Sequence, residues 1–194
     1  MMLLIVGLIL FLGVHLLPTS PDVRDGLRDR LGAGTYKAVF SVVSLIGFAI
    51  IVLGYHKMQL NPGKNPVLWD PPVWTRHIAL LLMLPSMIFL VASNVPSRIR
   101  NAVKHPMLLS IKLWALAHLL ANGDVASLLL FGTFLAYAIY DRISVKKRGA
   151  LGPLGDKQPT SPINDVIVVV AGIALYAALL MGGHAWLIGV APIT

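Results

Sequence analysis

Residues 105–124 read HPMLLSIKLWALAHLLANGD, an apolar run opened by His105-Pro106 and closed by Asn122-Gly123-Asp124. Proline suits a first helical turn, where its missing N–H would have had no intrahelical acceptor. Asn122-Gly123 at the far end is a glycine C-cap signal, and Asp124 can N-cap the next helix. The stretch therefore reads as one helix with marked ends, and between Pro106 and Gly123 Lys112 is the only permanently charged residue.

The rest of the chain has the same character. Of its 194 residues 57% are hydrophobic and 12% charged, and the mean hydropathy is +0.79. A soluble domain carries about 25% charged residues. With several apolar runs near spanning length, this composition places the chain in a bilayer. The expected fold is all-α, a single integral membrane bundle of about six transmembrane helices over residues 1–194. The spans fall near Met2–Leu17, Lys37–Tyr55, Val73–Ala92 (with Pro85 inside), His105–Asn122, Val125–Tyr140 and Asp165–Val190. The first run has no basic start and no small-x-small cleavage site, so it reads as an uncleaved helix rather than a signal peptide.

Charge sets the orientation. Loops one, three and five hold twelve basic residues: Arg24, Arg28, Arg30, Lys37, Arg98, Arg100, Lys104, Arg142, Lys146, Lys147, Arg148 and Lys157. The opposite side holds three, Lys57, Lys64 and Arg76. The positive-inside rule then puts both termini on the periplasmic side of a bacterial inner membrane. Residues 18–36 read as a cytoplasmic interfacial helix, with Ser20 as N-cap and Pro21 at its first position. Residues 141–162, rich in Gly and Pro, read as a mobile cytoplasmic loop whose basic cluster touches anionic membrane lipid. The net charge of +8 does not point to nucleic acid, because the cations lack aromatic interleaving and are spread over short loops.

Absent residue types narrow the chemistry. The chain has no cysteine and no glutamate, and its eight acids are all aspartates in loops or at helix ends. Thiolate-ligated haem and iron–sulfur clusters are excluded, and carboxylate di-iron sites and proton-coupled carriage have no mid-membrane acid to use. Six histidines remain, His15, His56, His77, His105, His118 and His184, all within or at the ends of apolar runs. An imidazole in hydrocarbon needs a partner, and two neutral imidazoles are a common axial pair for haem iron.

His105 and His118 are thirteen residues apart, about 20 Å along a helix, and cannot chelate one ion. His118 shares a face with Ile111, Trp114 and Asn122, and an aromatic beside an imidazole suits a flat macrocycle. Its partner must come from another helix. By rise per residue His15 is mismatched in depth by roughly 10 Å, whereas His56 and His77 match His118 directly.

The stretch 105–124 resembles the signature of the NnrU family of bacterial membrane proteins, associated with denitrification and nitrogen-oxide metabolism. The likeness extends over Val14-His15, RDRLGAGTYKAVFSVVSL, Tyr55-His56, His105-Pro106 and Trp114-Ala115-Leu116-Ala117-His118. The same superfamily includes the plant 15-cis-zeta-carotene isomerase, an integral membrane enzyme with haem b. The resemblance implies His15 and His118 as axial ligands to the haem iron, with His56 taking part in ligand exchange when the iron changes redox state. It also implies either isomerase-like chemistry on an apolar polyene or service to a nitrite or nitric oxide reductase system. A non-catalytic maturation factor for such a reductase is an alternative. A methyltransferase of the isoprenylcysteine carboxyl type is another, although Lys104 to Ser110 lack that family's tyrosine and glycine.

Overall fold

The computed structural model describes residues 1–152, 154–159 and 161–192. Among them the chain is helical with no β-strand. The α-helices are α1 (Met2–Leu16), α2 (Pro21–Leu31), α3 (Ala33–Gln59), α4 (Val73–Ala92), α5 (Arg98–Val103), α6 (Pro106–Ala121), α7 (Val125–Arg148), α8 (Ile163–Ala178) and α9 (His184–Ile188). Five segments are long and apolar enough to cross a bilayer: Met2–Thr19, Ala33–Gln59, Val73–Ala92, Val125–Arg148 and Ile163–Ile188. The α6 helix has 16 residues, about 24 Å of rise against a hydrocarbon core of about 30 Å. Large apolar side chains such as Leu45, Leu81 and Val170 stay exposed on these helices, which hydrocarbon tolerates and water does not.

Two compact units make up the chain, one of Met1–Val67 with Asp124–Thr133, the other of Leu68–Gly123 with Phe134–Thr194. In the first, α1 lies against α3. A Cβ on Gly7 would meet the Ile51 backbone nitrogen at 2.7 Å, one on Gly47 that of Phe11 at 2.7 Å, and one on Gly54 that of Leu4 at 2.6 Å. The register runs down one helix as it climbs the other, so the pair is antiparallel. With no hydrophobic effect between helices in lipid, close backbone approach over small residues is what holds them. Leu4, Leu8, Ile51, Tyr55 and Met58 are buried.

A polar network in this unit ties the start of α7 to the loop after α3. The Asp124 carboxylate accepts from Asn65 Nδ2 (2.7 Å), the Ser127 backbone N–H (3.0 Å) and Ser127 Oγ (2.6 Å). Asn65 Oδ1 accepts from the Ala126 N–H at 2.9 Å, and the Tyr55 hydroxyl lies 2.9 Å from Ser127 Oγ. Asp124 is thus the N-cap expected from the sequence.

In the second unit α4 packs on both α6 and α8. Ser86 Oγ donates to the Ser110 carbonyl at 2.9 Å, and Gly172 sits where a Cβ would reach Ile88 Cα at 2.6 Å. His105 immediately precedes α6 and Pro106 occupies its first turn, in agreement with the sequence pattern.

Three features differ from expectation. Gly123 is not a left-handed cap: Asn122 is already extended at φ −132° and ψ 131°, and Gly123 is not among the glycines with positive φ. It is glycine because a Cβ there would overlap the Trp69 carbonyl, while its own carbonyl accepts the Leu68 N–H at 2.8 Å. Secondly, α7 continues through Asp141–Arg148 instead of ending near Tyr140. Arg148 reaches back to Asp141 (3.3 Å) and Ser144 Oγ (3.1 Å), and basic residues in the last turn complement the helix dipole. Of the loop expected at 141–162, residues 153 and 160 lie outside the described residues. Thirdly, the last span is broken by a π-helical turn at Leu179–Gly183, with Gly182 at φ 123°.

Candidate functional site

The π-helical turn delivers His184 to His118. The two ring centres are 6.2 Å apart and their planes differ by 22°. A π-turn inserts an extra residue into the helical repeat and re-aims the side chains beyond it. The left-handed φ of Gly182 is one that only glycine adopts cheaply. His184 is the first residue of α9, immediately after that break.

Both rings are oriented by backbone carbonyls. His118 Nδ1 donates to the Trp114 carbonyl at 2.7 Å, and His184 Nδ1 donates to the Val190 carbonyl at 2.6 Å. A carbonyl only accepts, so Nδ1 carries the proton in each ring and the lone pair of the neutral imidazole is on Nε2. A second ring nitrogen bonded to a carbonyl is the usual outer-shell support of a metal-ligating histidine.

The helical face expected around His118 is present. Trp114 lies against His118 with ring centres at 5.3 Å, and Phe134 meets Trp114 edge-on at 5.4 Å. Asn122 Nδ2 donates to the His118 carbonyl at 2.8 Å, closing the last turn of α6.

The other candidates are distributed differently. His15 and His56 belong to the first unit, His77, His105, His118 and His184 to the second. His15 Nδ1 donates to the Phe11 carbonyl at 2.7 Å, and its ring stacks on Phe11 at 4.2 Å and tilts against Phe40 at 5.2 Å. His56 is half-buried near the end of α3, and His77 is exposed on the first turns of α4. His105 sits at the opposite end of α6 from His118. Its pKa is pushed down by burial and then by Arg142, pulled back less by Asp141, and lowered further by Arg100 and Lys104.

Sequence reasoning left His184 among the six histidines without giving it a partner. The signal was available. In the expected six-span order the fourth and sixth spans run in the same direction, so a histidine late in the sixth matches one late in the fourth. The sequence shows Gly182-Gly183 before it, but not that the pair marks a π-turn.

Among the described residues no group of three or more His, Cys, Asp or Glu side chains could hold a metal ion. A haem asks less of the protein, because the macrocycle supplies the equatorial ligands and two imidazoles complete the iron.

Apolar helices of spanning length, with oriented imidazoles inside them, define a helical membrane protein. The chain belongs to the NnrU family: the family model described as NnrU protein matches residues 3–192. No curated protein sequence and no solved structure matches it.

Proposed function

We propose that this chain is a multi-pass protein of the bacterial inner membrane that holds haem b, with His118 and His184 as the residues that would bind its iron. The observation that carries this reading is the spacing of the pair. An imidazole nitrogen bonds a metal at about 2.0 Å, and the ring centre lies about 1.1 Å behind that nitrogen. Two imidazoles that share one metal atom can therefore have ring centres up to about 6 Å apart, and the separation here is 6.2 Å. The donor chemistry fits as well, since both rings present Nε2 as the lone-pair atom and Trp114 offers a flat apolar neighbour. The haem would supply a redox-active iron. His118 and His184 would hold and orient it, while Trp114 and Phe134 would keep water from that side. By the family resemblance, such a centre serves nitrogen-oxide metabolism or isomerase-like chemistry on an apolar polyene.

Six spans with both termini periplasmic is the topology we assign. What supports it is the junction of two loops. The Val125 N–H donates to the Pro66 carbonyl at 3.0 Å and the Leu68 N–H to the Gly123 carbonyl at 2.8 Å. The loop before α4 and the loop after α6 are therefore on one side, so α6 returns to the face from which α4 departs.

The test is a reduced-minus-oxidised spectrum of the protein purified from a haem-replete host. A Soret band is expected. His118→Ala should lose it, and His184→Ala should lose it or turn it high-spin. A preparation without a Soret band, or one unchanged by His118→Ala, overturns the proposal.

A further inference from the structure

A cavity of about 510 Å³ lies at the end of the second unit away from His118. It is lined by residues of α5, by Lys104 and His105, by the end of α7 and by residues 149–152, Gly155, Asp156 and Gln158. Its charges are unbalanced: Arg100, Lys104, Arg142 and Lys146 face it against a single carboxylate, Asp156.

The positive-inside rule accounts for cations on this side of the membrane but not for their grouping in a concavity without counterions. Two neighbouring arginines outside the cavity have carboxylate partners. Arg148 pairs with Asp141 at 3.3 Å and Arg98 approaches Asp165 at 3.9 Å. Among the described residues no ion pair involves Arg100, Lys104, Arg142 or Lys146. The nearby acids are thus spent on the flanking arginines.

Two further observations mark this as a built site. Arg100 is 6% exposed, and its guanidinium donates to the Gly155 and Lys157 carbonyls. Asn101 Nδ2 donates to Gln158 Oε1 at 3.0 Å, so α5 clamps the loop over the cavity. A buried guanidinium bonded to carbonyls keeps its full charge and leaves the site short of an anion. Lys104 is the one non-glycine residue with positive φ among those described, at 62°. Left-handed backbone is disfavoured for a residue with a Cβ, and such strain gathers at ligand sites. The same cations press His105 towards its neutral form.

We propose that this cavity binds a phosphate-bearing anion, with Arg142 as the guanidinium fork and Lys104 and Lys146 as point charges. Arginine matches the tetrahedral oxygens of a phosphate in a way that a lone ammonium does not. The phosphate can belong to an anionic phospholipid headgroup or to a soluble phosphate, and the volume accommodates either.

The experiment uses the full chain in a neutral detergent. Binding is measured for dihexanoyl phosphatidic acid, for dihexanoyl phosphatidylcholine and for inorganic phosphate. Saturable binding of the phosphatidic acid or of phosphate is expected, weakened by added NaCl. Arg142→Gln should weaken it about tenfold, the loss of one charged hydrogen bond, while Lys57→Gln, an equal charge change elsewhere, leaves it unchanged. Lys104→Gly removes a charge and relieves the left-handed strain, so it should bind about tenfold more weakly yet melt no lower than the parent. Competition by inorganic phosphate identifies a soluble source, and its failure to compete identifies the headgroup. No binding of either anion, equal binding of the phosphatidylcholine, or equal loss in Arg142→Gln and Lys57→Gln overturns the proposal.

Discussion

Asp124 shows how much one side chain can hold. Its carboxylate caps α7 through the Ser127 N–H and also accepts from Ser127 Oγ and Asn65 Nδ2. Asp124→Ala removes a cap and leaves two donors without an acceptor, so a loss of about 2–4 kcal/mol is expected. Asn65→Ala strips the same network from the other side. The double variant should therefore lose less than the two single losses together, as a thermal-melt double-mutant cycle in detergent would show; strict additivity would mean that the two do not share a network. His105 contributes through pH. Its pKa is depressed in the folded chain by burial and by Arg142, Arg100 and Lys104. The unfolded chain therefore binds its proton first, and folding loses stability as pH falls below the ordinary imidazole value of about 6.5. His105→Gln should flatten the decline in melting temperature between about pH 6.5 and pH 5. An unchanged slope would assign the decline to other groups.

Among the helices, the α1–α3 pair depends on glycines that no reading of amphipathicity would select. Gly54 has the Leu4 backbone nitrogen 2.6 Å from where its Cβ would be, whereas a Cβ on Gly13 of α1 meets nothing within 4 Å. Gly54→Ala must push two backbones apart, since neither neighbour is the end of a flexible side chain, and about 1–3 kcal/mol of destabilisation is expected. Gly13→Ala should be neutral or slightly stabilising, because alanine is the better helix former. Equal melting temperatures for the two variants would remove the seam from the account. Helix starts were legible in the sequence where local chemistry fixes them: Ser20-Pro21, His105-Pro106 and Asp124 all begin helices. Helix ends set by tertiary contact were not. Gly123 looked like a left-handed cap but is small because the Trp69 carbonyl passes beside it. The continuation of α7 to Arg148 depends on a side chain that reaches back across two turns to Asp141.

At the scale of the molecule, the composition and the charge asymmetry were enough to read a helical membrane protein. The proximity of His184 to His118 was not legible, because a π-turn at Leu179–Gly183 decides where His184 points and a turn of that kind has no sequence rule comparable to a capping box. Membrane topology can be tested cleanly, since the chain has no cysteine and any introduced thiol is the only one to label. The α6 helix, with 16 residues, decides the outcome. If it crosses, Lys64 lies outside, Lys147 inside and Ala191 outside. If it only enters the membrane and turns back, Lys64 stays outside while Lys147 and Ala191 exchange sides. In spheroplasts, a membrane-impermeant maleimide should label Lys64→Cys and Ala191→Cys at once, and Lys147→Cys only after permeabilisation. The hydrogen bonds between residues 66–68 and 123–125 are the reason to expect the first pattern, because they hold the two ends of the α4–α6 hairpin on one side. Immediate labelling of Lys147→Cys with protection of Ala191→Cys would refute the six-span topology, and it would put Arg142 and Lys146 across the membrane from Arg100 and Lys104, which line the same cavity.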